Sequence, residues 1–129
     1  MDAQVELLQA LADPTRLRLL NLLMQTEEVC VCELVDALHL AQYNVSRHLQ
    51  ALLEVDLLEH RRSGKWIYYR IKRKLTPYQR TLLRAVEQLR EEREEFRKDE
   101  SRAVGRLKLR RNGLCCVGLV QRINSGRSR

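Results

Sequence analysis

The sequence predicts a mainly α chain with one small β-hairpin, and three observations lead there. Apolar residues recur at helical spacing from Val5 to Phe96. One pair of strand-like runs, joined by Ser63-Gly64, interrupts them. The composition, 44% hydrophobic and 32% charged with one Trp, one Phe and two Pro, suits a small helical core better than a sandwich or a Pro-rich linker. At ~100–200 residues per domain, 129 residues make one domain with some extra chain.

Val5, Leu7, Leu8, Leu11 and Ala12 mark the first helix. Asp13-Pro14 then restarts the chain, Asp13 as N-cap and Pro14 at the first helical position, and Leu17, Leu20, Leu23 and Met24 give the second helix its buried stripe. After Thr26-Glu27-Glu28, the segment Cys30-Val31-Cys32-Glu33-Leu34-Val35-Asp36-Ala37-Leu38 reads as a short third helix. His39-Leu40-Ala41 is a tight connection, and residues 42–53 form a fourth helix with Val45, Leu49, Leu52 and Leu53 on its apolar face.

Two short helices around such a turn make a helix-turn-helix. Leu57-Leu58-Glu59-His60-Arg61-Arg62 and Lys65-Trp66-Ile67-Tyr68-Tyr69-Arg70-Ile71 follow as a hairpin, which completes a winged helix-turn-helix. Thr76-Pro77-Tyr78-Gln79 is a complete helix start. The helix it opens carries Leu82, Leu83, Val86, Leu89 and Phe96 and is predicted to run to about Ala103. Its narrow apolar seam suits a partner helix, so the expected assembly is a homodimer through the N- and C-terminal helices. Residues 1–104 form the predicted DNA-binding and dimerisation domain, and 105–129 a basic extension whose end reads as disordered.

Charge locates the expected partner. The net charge is +7, but residues 1–58 hold three Arg against nine carboxylates, whereas residues 59–74 hold seven Arg or Lys against Glu59. Residues 101–129 add eight Arg or Lys and no acid. A basic block on a folded domain suits a polyanion. Gln42, Tyr43, Ser46 and Arg47 lie on one face of the fourth helix, opposite Val45 and Leu49, and are free to enter a major groove. Gln reads adenine and Arg reads guanine through paired hydrogen bonds, while Ser46 and Tyr43 suit phosphates or thymine methyls. Arg62 and Lys65 flank the Gly64 turn and suit the adjacent backbone or minor groove. Each residue alone reads as ordinary solvated surface; the ordered set favours double-stranded DNA, read as an inverted repeat by a dimer.

No apolar run approaches the ~20 residues that cross a bilayer, and Asp2 and Glu6 stand where a signal peptide would be basic or apolar. The expected location is cytoplasmic and reducing, with no membrane partner. Four cysteines there suit thiol chemistry or a metal better than a disulfide framework.

Leu11-Ala12-Asp13-Pro14-Thr15-Arg16-Leu17, Cys30-Val31-Cys32-Glu33-Leu34, Val45-Ser46-Arg47-His48-Leu49 and Gly64-Lys65-Trp66-Ile67-Tyr68-Tyr69 together resemble the ArsR/SmtB family of metal-responsive repressors, over roughly residues 5–100. The resemblance implies a homodimeric winged helix that leaves its operator when an inducer binds. It also matches Gln42, Tyr43, Ser46 and Arg47 to the family's DNA-reading positions.

Cys30-Val31-Cys32 is similar to the motif by which arsenic-responsive members bind As(III) or Sb(III), so the implied inducer is one of these ions, with no permanent cofactor. In a regular helix residues i and i+2 point ~200° apart, so sharing an ion requires Cys30 and Cys32 to straddle the start of the third helix. A helix N-terminus is expected to lower their thiol pKa values. As buried free cysteines they read instead as small hydrophobes. Val35 stands where some relatives carry a third cysteine, and Cys115-Cys116 is a candidate replacement, a separate thiophilic site or an incidental pair. Cadmium and lead sensors of the family add N-terminal cysteines, and zinc sensors use His on the last helix, where residues 76–104 have none; His48 is expected to pack behind the recognition helix. A repressor responding to thiol oxidation or persulfide is the main alternative. A small thiol enzyme fits poorly, because the chain has no Cys-x-x-Cys, no βαβ pattern and no Gly-rich phosphate loop.

Overall fold

The computed structural model describes residues 2–115, 117 and 118. Helix α1 (Ala3–Leu11) is followed by α2 (Pro14–Gln25), β1 (Val29–Cys30), α3 (Val31–Leu38) and α4 (Gln42–Glu54). Strands β2 (Leu58–Ser63) and β3 (Trp66–Ile71) form the hairpin; α5 (Pro77–Gln88), a 3-10 turn (Leu89–Glu91) and α6 (Glu94–Leu107) complete the described elements. This is the winged helix-turn-helix that the sequence predicts.

Local chemistry explains the boundaries. The Asp13 carboxylate accepts the N–H groups of Thr15 and Arg16 at the start of α2, and Pro14 needs no partner there. Thr76 and Gln79 form a reciprocal capping box on α5. His39, at φ 57°, ends α3 in the left-handed region and returns its N–H to the Val35 carbonyl. In the wing, Ser63 pairs with Trp66, leaving a two-residue turn with Gly64 at φ 61°, the conformation in which a side chain is strained.

The core gathers Leu19, Leu20, Leu22 and Leu23 of α2 with Leu34 and Leu38 of α3, Leu49 and Leu52 of α4, and Leu57. At ~1.5–3 kcal/mol for each fully buried Leu, this layer fixes the angle between α3 and α4.

Two features depart from the sequence reading. The sheet has three strands in the order β1-β3-β2, because Val29 and Cys30 pair with Tyr69 and Tyr68. The single helix expected from Pro77 to about Ala103 is instead broken after Gln88, and α6 folds back on α2 and α3. The charged run from Arg90 to Glu95 offers no apolar stripe to carry the helix onward, whereas folding back removes Phe96 wholly from water. Ion pairs hold that return: Asp99, fully buried, takes two hydrogen bonds from Arg18 and one from Arg102. The same two arginines donate to the Leu38 and Ala37 carbonyls, capping the C-terminal end of α3. Leu83, Val86 and Phe96, counted in the sequence as a seam for a partner helix, are therefore buried within one chain, while Val5 and Leu8 of α1 remain exposed. No helix among the described residues is long and apolar enough to cross a membrane.

Candidate metal centre and nucleic-acid interface

Cys30 is the N-cap of α3 and has extended backbone, φ −89° and ψ 164°, while Cys32 is already helical. The pair straddles the helix boundary, and this cancels the divergence that a regular helix would impose. Their sulfurs lie 3.0 Å apart. The Glu33 carboxylate accepts the Cys30 N–H at 3.0 Å, completing a capping box in which a thiol stands where a hydroxyl usually does.

The third sulfur arrives from 83 residues downstream: Cys115 Sγ lies 3.5 Å from Cys32 Sγ. Asn112 and Gly113, both with positive φ, reverse the chain between the bridged residues Arg111 and Leu114 and aim Cys115 back at α3. Its N–H donates to the Tyr68 hydroxyl at 2.8 Å. All three sulfurs lie within 4.8 Å of one another, and the residues are 1%, 9% and 4% exposed for Cys30, Cys32 and Cys115. Among the described residues this is the one group of three His, Cys, Asp or Glu side chains placed to hold an ion. Cys116 lies outside the described residues.

Two buried ion pairs frame the thiols. Arg110 donates to both oxygens of Glu33, each at 2.7 Å, and to the Glu28 carbonyl. Arg106 donates to Asp36 and to the carbonyls of Val117 and Gly118. Burial alone would raise the Glu33 pKa, but Arg110 and the Cys30 N–H hold it below the ordinary carboxylate range. The expected lowering does not occur at Cys30. Contact with the Cys32 sulfur and burial push Cys30 well above the usual thiol range, and burial with the neighbouring Cys30 pushes Cys115 up to about 11. At Cys30 the Cys32 contact and burial outweigh the helix terminus, and both Cys30 and Cys115 hold their protons at neutral pH. The site can condense soft ions or undissociated acids with thiols, in exchange for their protons.

On α4, Gln42, Tyr43, Ser46 and Arg47 are all exposed, Tyr43 at 75%, while Val45, His48, Leu49 and Leu52 are buried. Arg16 Nε donates to His48 Nδ1 at 3.0 Å, tying α2 to the inner side of α4. At the wing, Arg62 and Lys65 are exposed, with Lys65 Nζ 5.0 Å from the centroid of Trp66. Part of the basic block is spent within the chain: Arg61 pairs with Glu28, Arg70 with Glu59 and Lys72 with Asp56.

Residues 13–60 match the family described as bacterial regulatory protein, arsR family. The arsenic resistance transcriptional regulator ArsR2 of Pseudomonas putida is 37% identical over 81 residues, covering 63% of this chain and 70% of that protein. The chain belongs to the ArsR family. ArsR1 of the same organism, likewise described as an arsenic resistance transcriptional regulator, is 42% identical over 78 residues, 60% of this chain and 61% of its own length. The chain thus spans about six tenths of that relative. Among solved structures, the transcriptional regulator HlyU of Vibrio vulnificus superposes with a TM-score of 0.56 at 30% identity, over 67% of this chain and 85% of its own.

Within this ArsR-family chain the family match holds Cys30, Cys32 and the exposed face of α4, while the wing tip and Cys115 lie beyond it. Sequence reasoning missed Tyr68, Glu33, Asp36, Arg106 and Arg110 as site residues. The two arginines read as part of a solvated basic tail, and their carboxylates stand 70 and 77 positions away. The Asn-Gly pair before Cys115 was the one signal that the chain turns back there.

Proposed function

We propose that the chain is a cytoplasmic repressor that binds an operator as a homodimer and releases it when As(III) or Sb(III) joins the sulfurs of Cys30, Cys32 and Cys115. The observation that carries this reading is the convergence of three buried thiols within 4.8 Å at the N-cap of α3. The arsenic-resistance names of the relatives support it.

Gln42, Tyr43, Ser46 and Arg47 would enter the major groove, and Arg62 and Lys65 would reach the flanking backbone. Two recognition helices would read half-sites of an inverted repeat ~34 Å apart. The exposed Val5 and Leu8 of α1 suit a second copy of the chain, with the C-terminal helices beside them. Residues 1–104 would supply DNA binding and dimerisation, and residues 105–129 the third thiolate, with Cys116 available as an alternate donor. Ion capture would fix the sulfurs of Cys30, Cys32 and Cys115 at bonding distance from one centre, rearranging the first turn of α3, which packs against α4.

The test is fluorescence anisotropy of a labelled inverted-repeat operator with reduced protein, titrated with arsenite. Wild type should release DNA; Cys30→Ser/Cys32→Ser should bind DNA and ignore arsenite. The 3.0 and 3.5 Å sulfur separations also favour a second reading, an oxidation-responsive repressor of the same fold. Release by peroxide but not by arsenite would select it.

A further inference from the structure

The charges beside the thiols come in pairs that cancel. Glu33 is joined to Arg110 through both carboxylate oxygens, and Asp36 to Arg106. Each pair is one contact from a sulfur ligand. Glu33 accepts the Cys30 N–H. Arg106 donates to the Val117 carbonyl, whose oxygen lies 3.4 Å from Cys115 Sγ and 3.7 Å from Cys32 Sγ. The carboxylates and guanidiniums that line the pocket are therefore matched one to one.

We propose that these two ion pairs set the charge of the ion the site accepts, selecting a trivalent over a divalent centre. The inference rests on the thiolate reading above. Arsenous acid, As(OH)₃, and three thiols give As(SR)₃ and three waters. Three As–O and three S–H bonds break, three As–S and three O–H bonds form, no electrons transfer, and the product is neutral. A divalent ion with the same three thiols gives [M(SR)₃]⁻ and three free protons. That leaves one net negative charge in a buried pocket whose guanidiniums are already matched, and an unmatched buried charge is strongly disfavoured. With two thiolates the divalent complex is neutral but forfeits a ligand. Glu33 and Asp36 thus act as specificity-determining residues without touching the ion: by neutralising Arg110 and Arg106, they withhold the cation that a divalent complex needs.

The experiment compares arsenite with Cd²⁺ by competition binding to the reduced full chain. Glu33→Gln keeps an acceptor for the Cys30 N–H but leaves the Arg110 charge unmatched; Asp36→Asn does the same for Arg106. Each should raise the ratio of cadmium to arsenite affinity at least tenfold. Glu33→Gln/Arg110→Gln, balanced again, should return it to the wild-type value. A purely structural role for these residues would weaken both ions together and leave the ratio unmoved. A ratio within twofold of wild type in both single variants, with uptake intact, would overturn this inference alone. Wild-type protein that takes up neither ion would overturn both this inference and the reading it rests on.

Discussion

Replacing Arg110 with alanine tests how firmly the C-terminal segment is bound to α3. The substitution removes two hydrogen bonds to Glu33, one to the Glu28 carbonyl and a longer one to the Gly113 carbonyl. Glu33 is 1% exposed and the Arg110 side chain 18%, so a buried carboxylate would keep only the Cys30 N–H. Breaking a buried pair from one side costs ~3–5 kcal/mol, and the partial exposure of Arg110 places this case near the lower bound. A loss of about 3 kcal/mol corresponds to a fall in Tm of roughly 10–15 °C for a chain of this size, out of a total stability of ~5–15 kcal/mol. Urea unfolding of the reduced protein, followed by circular dichroism at fixed protein concentration, measures it. Glu33→Gln/Arg110→Met, which removes the stranded charge, should recover more than half of the loss. A cost below about 1 kcal/mol for Arg110→Ala, in the range of surface pairs, would refute the claim that this pair anchors the segment carrying Cys115.

Three further outcomes follow. Tyr68→Phe deletes only the hydroxyl that receives the Cys115 N–H; it should weaken arsenite binding several-fold by isothermal titration while leaving operator affinity unchanged. His48 is held below its ordinary pKa by burial, with Arg16 and Arg47 adding to the effect and Asp13 opposing it. Its contribution to stability is therefore complete above the unfolded value of ~6.5 and is lost as pH falls through the lower folded value. Urea midpoints should drop between pH 7 and 5 in wild type and drop less in His48→Gln. Arg47→Ala should cost ~1–3 kcal/mol in operator binding, whereas Lys65→Ala should lower the slope of log K against log salt by about one; equal effects at both positions would argue against separate roles for α4 and the wing.

What could be read from the sequence was local. Asp13-Pro14 and the Thr76/Gln79 pair announce helix starts within four residues, and the exposed face of α4 follows from 3.6-residue periodicity alone. The features that escaped depend on distant partners. Phe96 lies seven positions after Leu89, the spacing a continuous helix would show, so nothing local reveals that the chain folds back to bury it. Val29 and Cys30 form a strand too short for any period, defined only by its pairing with Tyr68 and Tyr69. The Cys30 pKa departs from expectation for a related reason: the helix terminus is visible in sequence, whereas the contact with the Cys32 sulfur and the burial are visible only in three dimensions. Cys115 could be named as a candidate, but its approach to Cys32 rests on Tyr68, Arg106 and Arg110, whose partners no spacing rule supplies.

The central claim, that one ion is shared by Cys30, Cys32 and Cys115, is tested most directly by X-ray absorption spectroscopy of the arsenite-loaded, reduced protein. Wild type should show three sulfur neighbours around arsenic, and Cys115→Ser two sulfurs and one oxygen. Three sulfurs retained in Cys115→Ser but lost in Cys116→Ser would contradict the account and move the third ligand to the neighbouring cysteine.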